Sequence, residues 1–474
     1  MDKVKTNERL ININKKTFIS VFVLLFLLIV FSMVLTYVLP KGEYEIINGE
    51  VDYKTYIKLE DSKGINIFKG LFSPFINLTT SDGIVIIILC LFLMIIGGTF
   101  QIMNDCGGIK VFVNKIIGRF KEHKFLLLSL ISLIFMLFGS LLGLFEEMLT
   151  LLPIIVILAV SLGYDSFTGF LISIVACGFG FASAITNPFT VLFASNLVGV
   201  NVLYKFWYRL IIFAVMYGLL VLYVYTYTRK IKKNPKKSVT YDRDINLQNK
   251  IYEEDKVENE KKIFVCYSIF FAIVLSTVIL FSSLKALRDY TTVALAVIFL
   301  FGGLVCGFIA TNHDIKKTFK SFLSGVVSTL PSLIFILMAA SIKYILIEGK
   351  ILPTITYQIN NLVGNENPFV VALIILAIVL VLEFFISSST AKAIFVMSIL
   401  GVLSVGLSKE MMVLVYVFGD GYTNIIFPTS PVLLIGLSMI DVSYFKWIKK
   451  SWLLFLITMG LVVAFIFIAI AVGY

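Results

Sequence analysis

The sequence has few charged residues and few of the side chains that bind metals. Asp, Glu, Lys and Arg make up 15% of the 474 residues, and there are two histidines and five cysteines. The histidines, His123 and His313, fall in polar connections between apolar runs, and the cysteines stand singly. A histidine proton relay, a zinc site and a disulfide framework are therefore not expected.

The motifs of three large function classes are also missing. The sequence contains no HExxH, no GxSxG and no GxxxxGK[ST]. These absences argue against a metalloprotease, a serine hydrolase and a nucleotide-driven pump. We therefore expect neither an enzyme nor a resident cofactor, and no metal site. A channel is an alternative that composition leaves open.

Apolar residues in long runs are what the sequence has in abundance. Hydrophobic residues make up 59% of the chain, and the mean hydropathy is +0.98. A helix needs about 20 apolar residues to cross a bilayer. Runs close to that length occupy residues 17–39, 84–103, 167–183, 203–228, 263–280, 292–310, 326–347 and 447–472. The sequence therefore predicts an all-α integral membrane protein.

The basic residues predict the orientation in the membrane. Of the 40 lysines and arginines, 27 fall in five segments, namely residues 1–16, 104–124, 229–262, 312–324 and 441–450. Basic connections stay in the cytoplasm, so the net charge of +11 is explained without nucleic acid as a partner. We expect a multi-pass protein of the cell membrane with a cytoplasmic N-terminus and an extracytoplasmic C-terminus. The first run is longer than a signal-peptide core, so we expect it to be retained.

The chain divides into two related halves around a polar linker. The predicted parts are a cytoplasmic tail (1–16), a first repeat (17–228), a solvated cytoplasmic linker (229–262), a connecting helix (263–283) and a second repeat (292–474). Each repeat contains a pair of apolar segments with a short polar interruption between them, followed by a broken helix. The interrupted pairs are residues 125–162 and 368–407, and the broken helices are residues 166–194 and 411–435. Pro188 and Pro428, at matched places, are 240 positions apart. This spacing suggests duplication.

The sidedness of the charges indicates what the interrupted pairs are. Segments 104–124 and 229–262 are both basic, so the chain between them crosses the membrane an even number of times. Two crossings plus a re-entrant hairpin satisfy this condition, and so do four crossings. The hairpin is favoured because Glu146 and Glu147 would otherwise lie in a loop with Gly143 as its only turn former. The prediction is about nine crossings plus two hairpins, with inverted halves, as is common in secondary transporters.

Several short motifs resemble those of a known transporter family. They are Gly-Leu-Phe-Glu-Glu at 143–147, Leu-Gly-Tyr-Asp at 162–165, Asn-Pro-Phe at 187–189, Phe-Gly-Asp-Gly at 418–421 and Phe-Pro-Thr-Ser at 427–430. Together with inverted halves, re-entrant hairpins and broken helices, they resemble the YfcC-type family of the ion transporter superfamily. Its members are assigned as anaerobic C4-dicarboxylate carriers or as antiporters of basic amino acids.

The resemblance implies a homodimer in which a transport domain moves as an elevator against scaffold helices. It also implies that substrate binds between the hairpin tips and the unwound helices. The branch of the superfamily that carries divalent anions has Ser-Asn-Thr triplets at both tips. This chain has the related Ser388-Ser389-Thr390 at the second tip but Glu146-Glu147 at the first, which disfavours a dicarboxylate.

Ionisable side chains at membrane depth are costly and usually functional. The sequence places six of them there: Glu146, Glu147, Glu383, Asp420, Lys343 and Lys392. Adjacent carboxylates at one tip repel each other, so they favour a bound cation or one shared proton. In the structural alternative, one glutamate caps a half-helix and the other faces water. Lys343 lies near the end of its span, where it can snorkel to the surface.

The broken helices supply uncharged ligands. Hydroxyl, amide and freed carbonyl groups come from Thr186, Asn187, Thr423 and Asn424, and the predicted helix-breaking residues are Gly178, Gly180, Pro188, Gly419, Gly421 and Pro428. Asp420 either binds a substrate amine, takes part in proton coupling, or caps the following half-helix. Glu383 either serves coupling or pairs with a lysine as plain structure. Lys392 has three open roles: pairing with Glu383, binding a carboxylate, or replacing a coupling cation.

The net-negative interior favours a cationic substrate. The leading hypothesis is an antiporter of basic amino acids, such as arginine against ornithine. The alternative is a carrier of C4-dicarboxylates or other organic anions, coupled to Na⁺ or H⁺. Na⁺ and H⁺ are also the candidate coupling ions of the leading hypothesis.

Overall fold

A computed structural model describes residues 15–47, 50–59, 64–111, 115, 118, 122–252, 259–284, 286–287, 290–351, 353–355, 357–358, 367–385, 389, 392–393, 396–397 and 407–474. Most of these residues are helical, and one small antiparallel sheet lies among them.

Six described helices are long and apolar enough to cross a membrane. They are Ile86–Asp105, Lys124–Leu142, Phe206–Lys233, Thr292–Ala310, Ile315–Glu348 and Tyr444–Ala471. Several carry large apolar side chains on their outer faces, such as Leu222, Phe301 and Phe467, as contact with lipid requires. The prediction of a helical, multi-pass membrane protein is confirmed. The count of nine crossings stays a prediction.

The N-terminal part combines a long helix with a small sheet. α1 (Lys15–Val38) leads into β1 (Lys41–Ile47) and β2 (Glu50–Leu59), which pair antiparallel. The sheet contacts a connection far along the chain, because the N–H of Gly42 donates to the carbonyl of Lys350 at 3.1 Å and the hydroxyls of Tyr56 and Thr354 are 2.8 Å apart. The sequence analysis did not predict this sheet.

Two short helices follow the sheet and expose aromatic rings. α2 (Ile67–Leu71) and α3 (Ser73–Ile76) leave Phe68, Phe72 and Phe75 mostly exposed. Such a surface is suited to the interface between lipid and water. The chain then enters α4 (Ser81–Asp105), a long apolar helix.

The first hairpin comprises α5 (Lys124–Leu137), a π turn (Phe138–Leu142), a 3₁₀ turn (Glu147–Thr150) and α6 (Leu152–Ser161). Gly143 follows the π turn with φ of +70°, a conformation that glycine adopts without steric cost. The Lys124 ammonium donates to the carbonyl of Leu162 at 2.9 Å. The two ends of the segment therefore meet, while its re-entrance into the membrane stays a prediction.

The first broken helix runs through α7 (Ser166–Phe170), a π turn (Leu171–Val175) and α8 (Ala176–Ala182). Residues 183–187 are not helical, and a π turn (Pro188–Leu192) and α9 (Phe193–Val198) follow. Pro188 thus occupies the first position of the second half, where its missing N–H costs nothing. Gly178 and Gly180 lie inside α8, so their assignment as helix-breaking residues is wrong.

The middle of the chain supplies a second group of packed helices. α10 (Phe206–Lys233) is followed by a 3₁₀ turn (Pro235–Lys237), α11 (Tyr241–Tyr252), α12 (Glu260–Ser283), α13 (Thr291–Ala310) and α14 (Ile315–Glu348). α4 packs against α13 and α14. Glycine permits this close packing, because a Cβ at Gly325 would overlap the backbone of Gly97.

The second hairpin begins with α15 (Pro368–Phe385), and its described return arm consists of Lys392, Ala393, Val396 and Met397. The second broken helix consists of α16 (Lys409–Thr423) and α17 (Pro431–Met439), with a non-helical break at 424–430. Gly419 and Gly421 lie inside α16, so they do not break the helix, whereas Pro428 lies within the break. α18 (Tyr444–Ala471) ends the fold.

α10 and α18 lie side by side in opposite directions. The Tyr208 hydroxyl donates to the carbonyl of Phe465 at 2.6 Å, and the Tyr223 hydroxyl donates to that of Lys450 at 3.2 Å. The start of α10 therefore lies beside the end of α18.

This antiparallel pair shows that the hairpins open toward opposite ends of the molecule. The first hairpin begins beside the C-terminal half of α10, where the rings of Phe125 and Tyr225 are 5.2 Å apart. The second begins beside the C-terminal half of α18, where the rings of Phe369 and Phe467 are 5.6 Å apart. Inverted halves would require such an arrangement, and both the inversion and the duplication stay predictions.

The linker between the halves is folded against the broken helices. Asp244 of α11 is 4% exposed, and it accepts hydrogen bonds from the Thr240 hydroxyl at 2.5 Å and the Ser166 N–H at 2.8 Å. Arg243 donates to the Ser166 hydroxyl at 2.6 Å and to the carbonyl of Met439 at 2.9 Å. α11 thus joins the start of the first broken helix to the end of the second. The prediction of a solvated linker is wrong here, because one polar pair holds two helix ends.

We predict that Asp244→Ala destabilises the folded protein. Burial raises the pKa of the Asp244 carboxyl, while hydrogen bonds from Ser166 and Thr240 and the charge of Arg243 oppose that rise. Loss of these bonds leaves buried donors without a partner and should cost about 3 kcal/mol. The measurement is the thermal unfolding midpoint of the purified protein in detergent.

The matched control for this prediction is Asp242→Ala, an exposed aspartate on the same helix. It should change stability by less than about 0.5 kcal/mol. Equal midpoints for the two variants would show that α11 is not fixed by Asp244.

Candidate functional site

The tip of the first hairpin places its two glutamates in different surroundings. Glu146 is exposed, whereas Glu147 is 9% exposed. The Thr292 hydroxyl of α13 donates to the Glu147 carboxylate at 3.3 Å. One carboxylate is therefore exposed and the other faces a neighbouring helix, while their role as a pair stays a prediction.

The first break is held by the first hairpin. The side-chain oxygen of Asn187 accepts hydrogen bonds from the N–H groups of Phe189 (2.9 Å) and Thr190 (3.3 Å), so Asn187 caps the second half-helix. Its amide nitrogen donates to the carbonyl of Gly139 at 3.0 Å. Asn187 is fully buried, while Thr186 beside it is partly exposed. Of the two, Thr186 is the side chain that a ligand can reach.

Ser140 supplies the remaining partners of this break. Its carbonyl accepts hydrogen bonds from the N–H groups of Ile185 (3.1 Å) and Thr186 (3.2 Å), and its hydroxyl donates to the carbonyl of Ser183 at 3.1 Å. The sequence analysis missed Ser140, because nothing in its neighbourhood marks it as a partner of a segment 45 residues later.

The second break is held mainly by α18. The Trp447 indole donates to the carbonyl of Ile425 and the Tyr444 hydroxyl donates to that of Ile426, both at 2.9 Å. Ser430 caps α17 through the N–H of Leu433 at 3.4 Å. Asp420 therefore does not cap the following half-helix. These bonds occupy the carbonyls of Ile425 and Ile426.

Thr423 and Asn424 bond back to the helix that they end. The Thr423 hydroxyl lies 3.1 Å from the carbonyl of Gly419 and 3.0 Å from that of Asp420, and the Asn424 amide nitrogen donates to the latter at 3.1 Å. Thr423 is fully buried, whereas Asn424 is partly exposed. The two breaks therefore each offer one accessible polar side chain, Thr186 and Asn424.

A buried ionic cluster joins the second hairpin to the second broken helix. The Lys392 ammonium pairs with Glu383 and lies 2.8 Å from the Asp420 carboxylate. Ser389 at the tip donates to Asp420 at 2.9 Å, and Tyr416 donates to it at 3.3 Å and also to the Ser389 carbonyl. Of the open roles of Lys392, pairing with Glu383 is the one that the structure shows. Ser388 and Thr390 lie outside the described residues.

Close glycine contacts bring the two broken helices together. A Cβ at Gly421 would overlap the backbone of Phe181 and Ala182, and one at Gly178 would overlap Ile425. Gly180 and Gly419 similarly approach Met136 and Val379. These four glycines therefore serve helix packing rather than helix breaking.

Phe181 links the acidic tip to the ionic cluster. Its ring lies 5.5 Å from that of Phe145, the neighbour of Glu146, and its backbone touches Gly421, the neighbour of Asp420. The first tip, both breaks and the cluster thus form one continuous region. Among the described residues, no group of three His, Cys, Asp or Glu is placed to hold a metal ion.

The sequence analysis missed several residues of this region. Tyr416 precedes Asp420 by one helical turn, and this spacing could have identified it as a partner. Thr292 and Phe181 carried no such signal, because their contacts join segments distant in sequence.

Comparison with known proteins identifies a family and individual relatives. Residues 18–473 match the family model DcuC, described as "C4-dicarboxylate anaerobic carrier". The chain is 28% identical over 372 residues to the Escherichia coli K12 protein named "Putative basic amino acid antiporter YfcC", with 76% of this chain and 72% of that protein covered. A Haemophilus influenzae protein named "Uncharacterized protein" is 24% identical over 490 positions, which cover 92% of this chain and 94% of the other.

One solved transporter aligns along most of the chain. The crystal structure of the Alcanivorax borkumensis YdaH transporter matches with a TM-score of 0.46 and 14% identity. The match covers 96% of this chain and 99% of the other.

We predict that Gly421→Ala disrupts the site by separating the broken helices. The added methyl group would meet backbone atoms of Phe181 and Ala182, which cannot rotate away. Forced overpacking of this kind costs about 1–3 kcal/mol. The measurements are thermal stability in detergent and binding or transport by the purified protein.

The control is Gly460→Ala on α18, where a Cβ would have no neighbour within 4 Å. It should be neutral or slightly stabilising, because alanine favours a helix over glycine by about 1 kcal/mol. A Gly421→Ala protein as stable and active as Gly460→Ala would contradict the close contact.

Proposed function

The chain belongs to the C4-dicarboxylate anaerobic carrier family (DcuC), and we propose that it is a secondary transporter that exchanges basic amino acids across the cell membrane. The observation that carries the transport function is the meeting of two broken helices with two oppositely opening hairpins. Broken helices at membrane depth are tolerated where they are buried in protein or line a cavity. Sites of this type lie at the interface of repeats in secondary transporters.

The accessible groups favour a substrate that carries positive charge. Glu146 is exposed at the first tip, and Thr186, Ser389 and Asn424 are partly exposed. Lys392, the basic residue of the cluster, is fully buried and paired with two carboxylates. Among the described residues of the site, it therefore offers no free positive charge to a dicarboxylate, whereas Glu146 offers a negative charge to an ammonium or guanidinium group.

A zwitterionic amino acid also needs a partner for its own carboxylate. The second half of each broken helix begins at a break, with Asn187 and Ser430 as caps. The N-terminus of a half-helix has a partial positive charge and attracts anions. An amino acid with a cationic side chain would thus use both the acidic tip and a helix start.

We propose an elevator mechanism for alternating access. The hairpins and broken helices, tied together by α11, form the transport domain, and α4, α13 and α14 form the scaffold of a homodimer. The hydrogen bond between Thr292 and Glu147 crosses the boundary between these groups at 3.3 Å. Movement of the transport domain requires this contact to break and re-form.

The second candidate function is a carrier of C4-dicarboxylates or other organic anions, coupled to Na⁺ or H⁺. The description of the family favours it. It requires an anion to bind beside Glu146 and the buried Glu147, whose negative charges would repel it. A coupling cation would be needed to offset this repulsion.

Counterflow in proteoliposomes tests the substrate. Vesicles loaded with arginine should take up labelled ornithine, lysine or arginine against their concentration gradient. The same vesicles without protein, and vesicles loaded with succinate, serve as controls. Absence of basic amino-acid exchange together with succinate uptake that depends on Na⁺ would replace the leading proposal with the second. Single-channel currents far above carrier turnover would refute both.

We predict that Glu147→Gln slows exchange while the protein still inserts in the membrane. The substitution removes the buried charge that accepts the Thr292 hydrogen bond, so exchange should fall about tenfold for a loss of about 1.4 kcal/mol in the limiting step. Glu348→Gln is the control, since Glu348 is an exposed partner of Lys69. Exposed pairs contribute little. Full exchange by a well-folded Glu147→Gln protein would show that the tip charge is incidental.

A further inference from the structure

The buried ionic cluster of Glu383, Lys392 and Asp420 has one negative charge in excess. Its carboxylates have relative exposures of 4% and 0%, and its ammonium has 0%. Lys392 is the basic side chain that forms ion pairs with them in the described part of the chain. A buried charge without a partner is costly. The cluster therefore needs one more positive charge to be stable.

The hydrogen bonds indicate which carboxylate stays ionised. Asp420 accepts hydrogen bonds from Ser389 at 2.9 Å and Tyr416 at 3.3 Å, and it also lies 2.8 Å from the Lys392 ammonium. Donors of this kind stabilise the charged form of a carboxyl group. Glu383 is paired with Lys392 alone among its described partners. The additional positive charge is therefore best accommodated at Glu383.

The space available limits what this charge can be. The three side chains are packed with Tyr416, which is itself fully buried, and Gly419 holds α16 against Val379 of α15. A proton adds to a carboxylate oxygen without needing a cavity, whereas Na⁺ needs several oxygen ligands around it. The geometry favours a proton.

We propose that Glu383, Lys392 and Asp420 form a proton-binding site through which proton binding is coupled to transport. Glu383 takes one proton from bulk water, which forms an O–H bond and makes the cluster neutral. Release of this proton to water restores the excess charge and favours hydration of the cluster. The proposal rests on the proposed transport function, since a coupling ion has a role only in a transporter.

The cluster lies where such a charge can control movement. Glu383 belongs to the entering arm of the hairpin, Lys392 to the return arm, and Asp420 to the second broken helix. Ser389 at the tip is tied to the same carboxylate. The cluster therefore connects described residues of all three segments, and its neutrality favours that connection.

Thermal unfolding across pH tests the proton site without any substrate. The range of interest is about pH 6 to 9, above the value of about 4 at which the carboxyl groups of an unfolded chain ordinarily titrate. The ionisable groups in contact are Glu383, Asp420, Lys392 and Tyr416. If the folded protein holds one proton that the unfolded chain releases, its folding equilibrium constant should fall up to tenfold per pH unit as pH rises. The purified full chain in detergent should show this fall.

Two variants remove the excess charge in different ways. Glu383→Gln and Asp420→Asn each leave one carboxylate beside Lys392, so each should lose this component of the pH dependence. Glu348→Gln, which changes an exposed acid outside the cluster, should keep the wild-type slope. Either neutralising variant that folds is sufficient, and a wild-type slope in either one would overturn the proposal.

Infrared spectroscopy of the wild-type protein provides a measurement that needs no variant. Raising the pH over the same range should remove a band of a protonated carboxyl group, and an unchanged spectrum would overturn the proposal. Replacing choline by Na⁺ at fixed pH should have no effect. Stabilisation by Na⁺ that Glu383→Gln abolishes would overturn the assignment of the proton.

The outcome is separable from that of the counterflow experiment. Loss of arginine exchange with an intact pH slope would refute the substrate and leave the proton site in place. Arginine exchange without the pH slope would refute the proton site alone.

Discussion

Breaking a helix inside a membrane frees backbone groups that lipid cannot satisfy, and the rest of this structure depends on meeting that constraint. At the first break the partners come from Ser140 and Asn187, so the hairpin and the broken helix fix each other. At the second break they come from Trp447 and Tyr444 on α18. These bonds satisfy part of the freed backbone, while Thr186 and Asn424 are the partly exposed polar side chains described at the two breaks.

The two broken helices are in close contact because glycines lie where they meet. Gly421 on α16 lies against the backbone of Phe181 and Ala182, and Gly178 on α8 lies against the side chain of Ile425. A Cβ at either position would separate the helices. This contact brings the acidic tip near the ionic cluster through Phe181. On the opposite side, Arg243 and Asp244 connect the ends of both broken helices. The linker thus behaves as part of the domain that holds the site.

Much of the architecture could be predicted from local patterns. Apolar runs indicated the membrane helices, and Gly143, Pro188 and Pro428 marked places where helices are interrupted. The β1–β2 sheet was missed although Asn48-Gly49 is a typical hairpin turn sequence. The glycines of α8 and α16 were misassigned, because a glycine that breaks a helix and one that permits packing look alike in sequence. Only their neighbours in space distinguish them.

The sequence by itself determined the membrane class, the family motifs and the short set of ionisable residues at membrane depth, since hydropathy and the cost of buried charge are local properties. Tertiary structure decided which of those residues meet. Glu146 and Glu147 are adjacent in sequence but face different surroundings, whereas Glu383, Lys392 and Asp420 form one cluster from three segments. The pairing of charges depends on how helices pack, and packing depends on contacts between residues far apart in the chain.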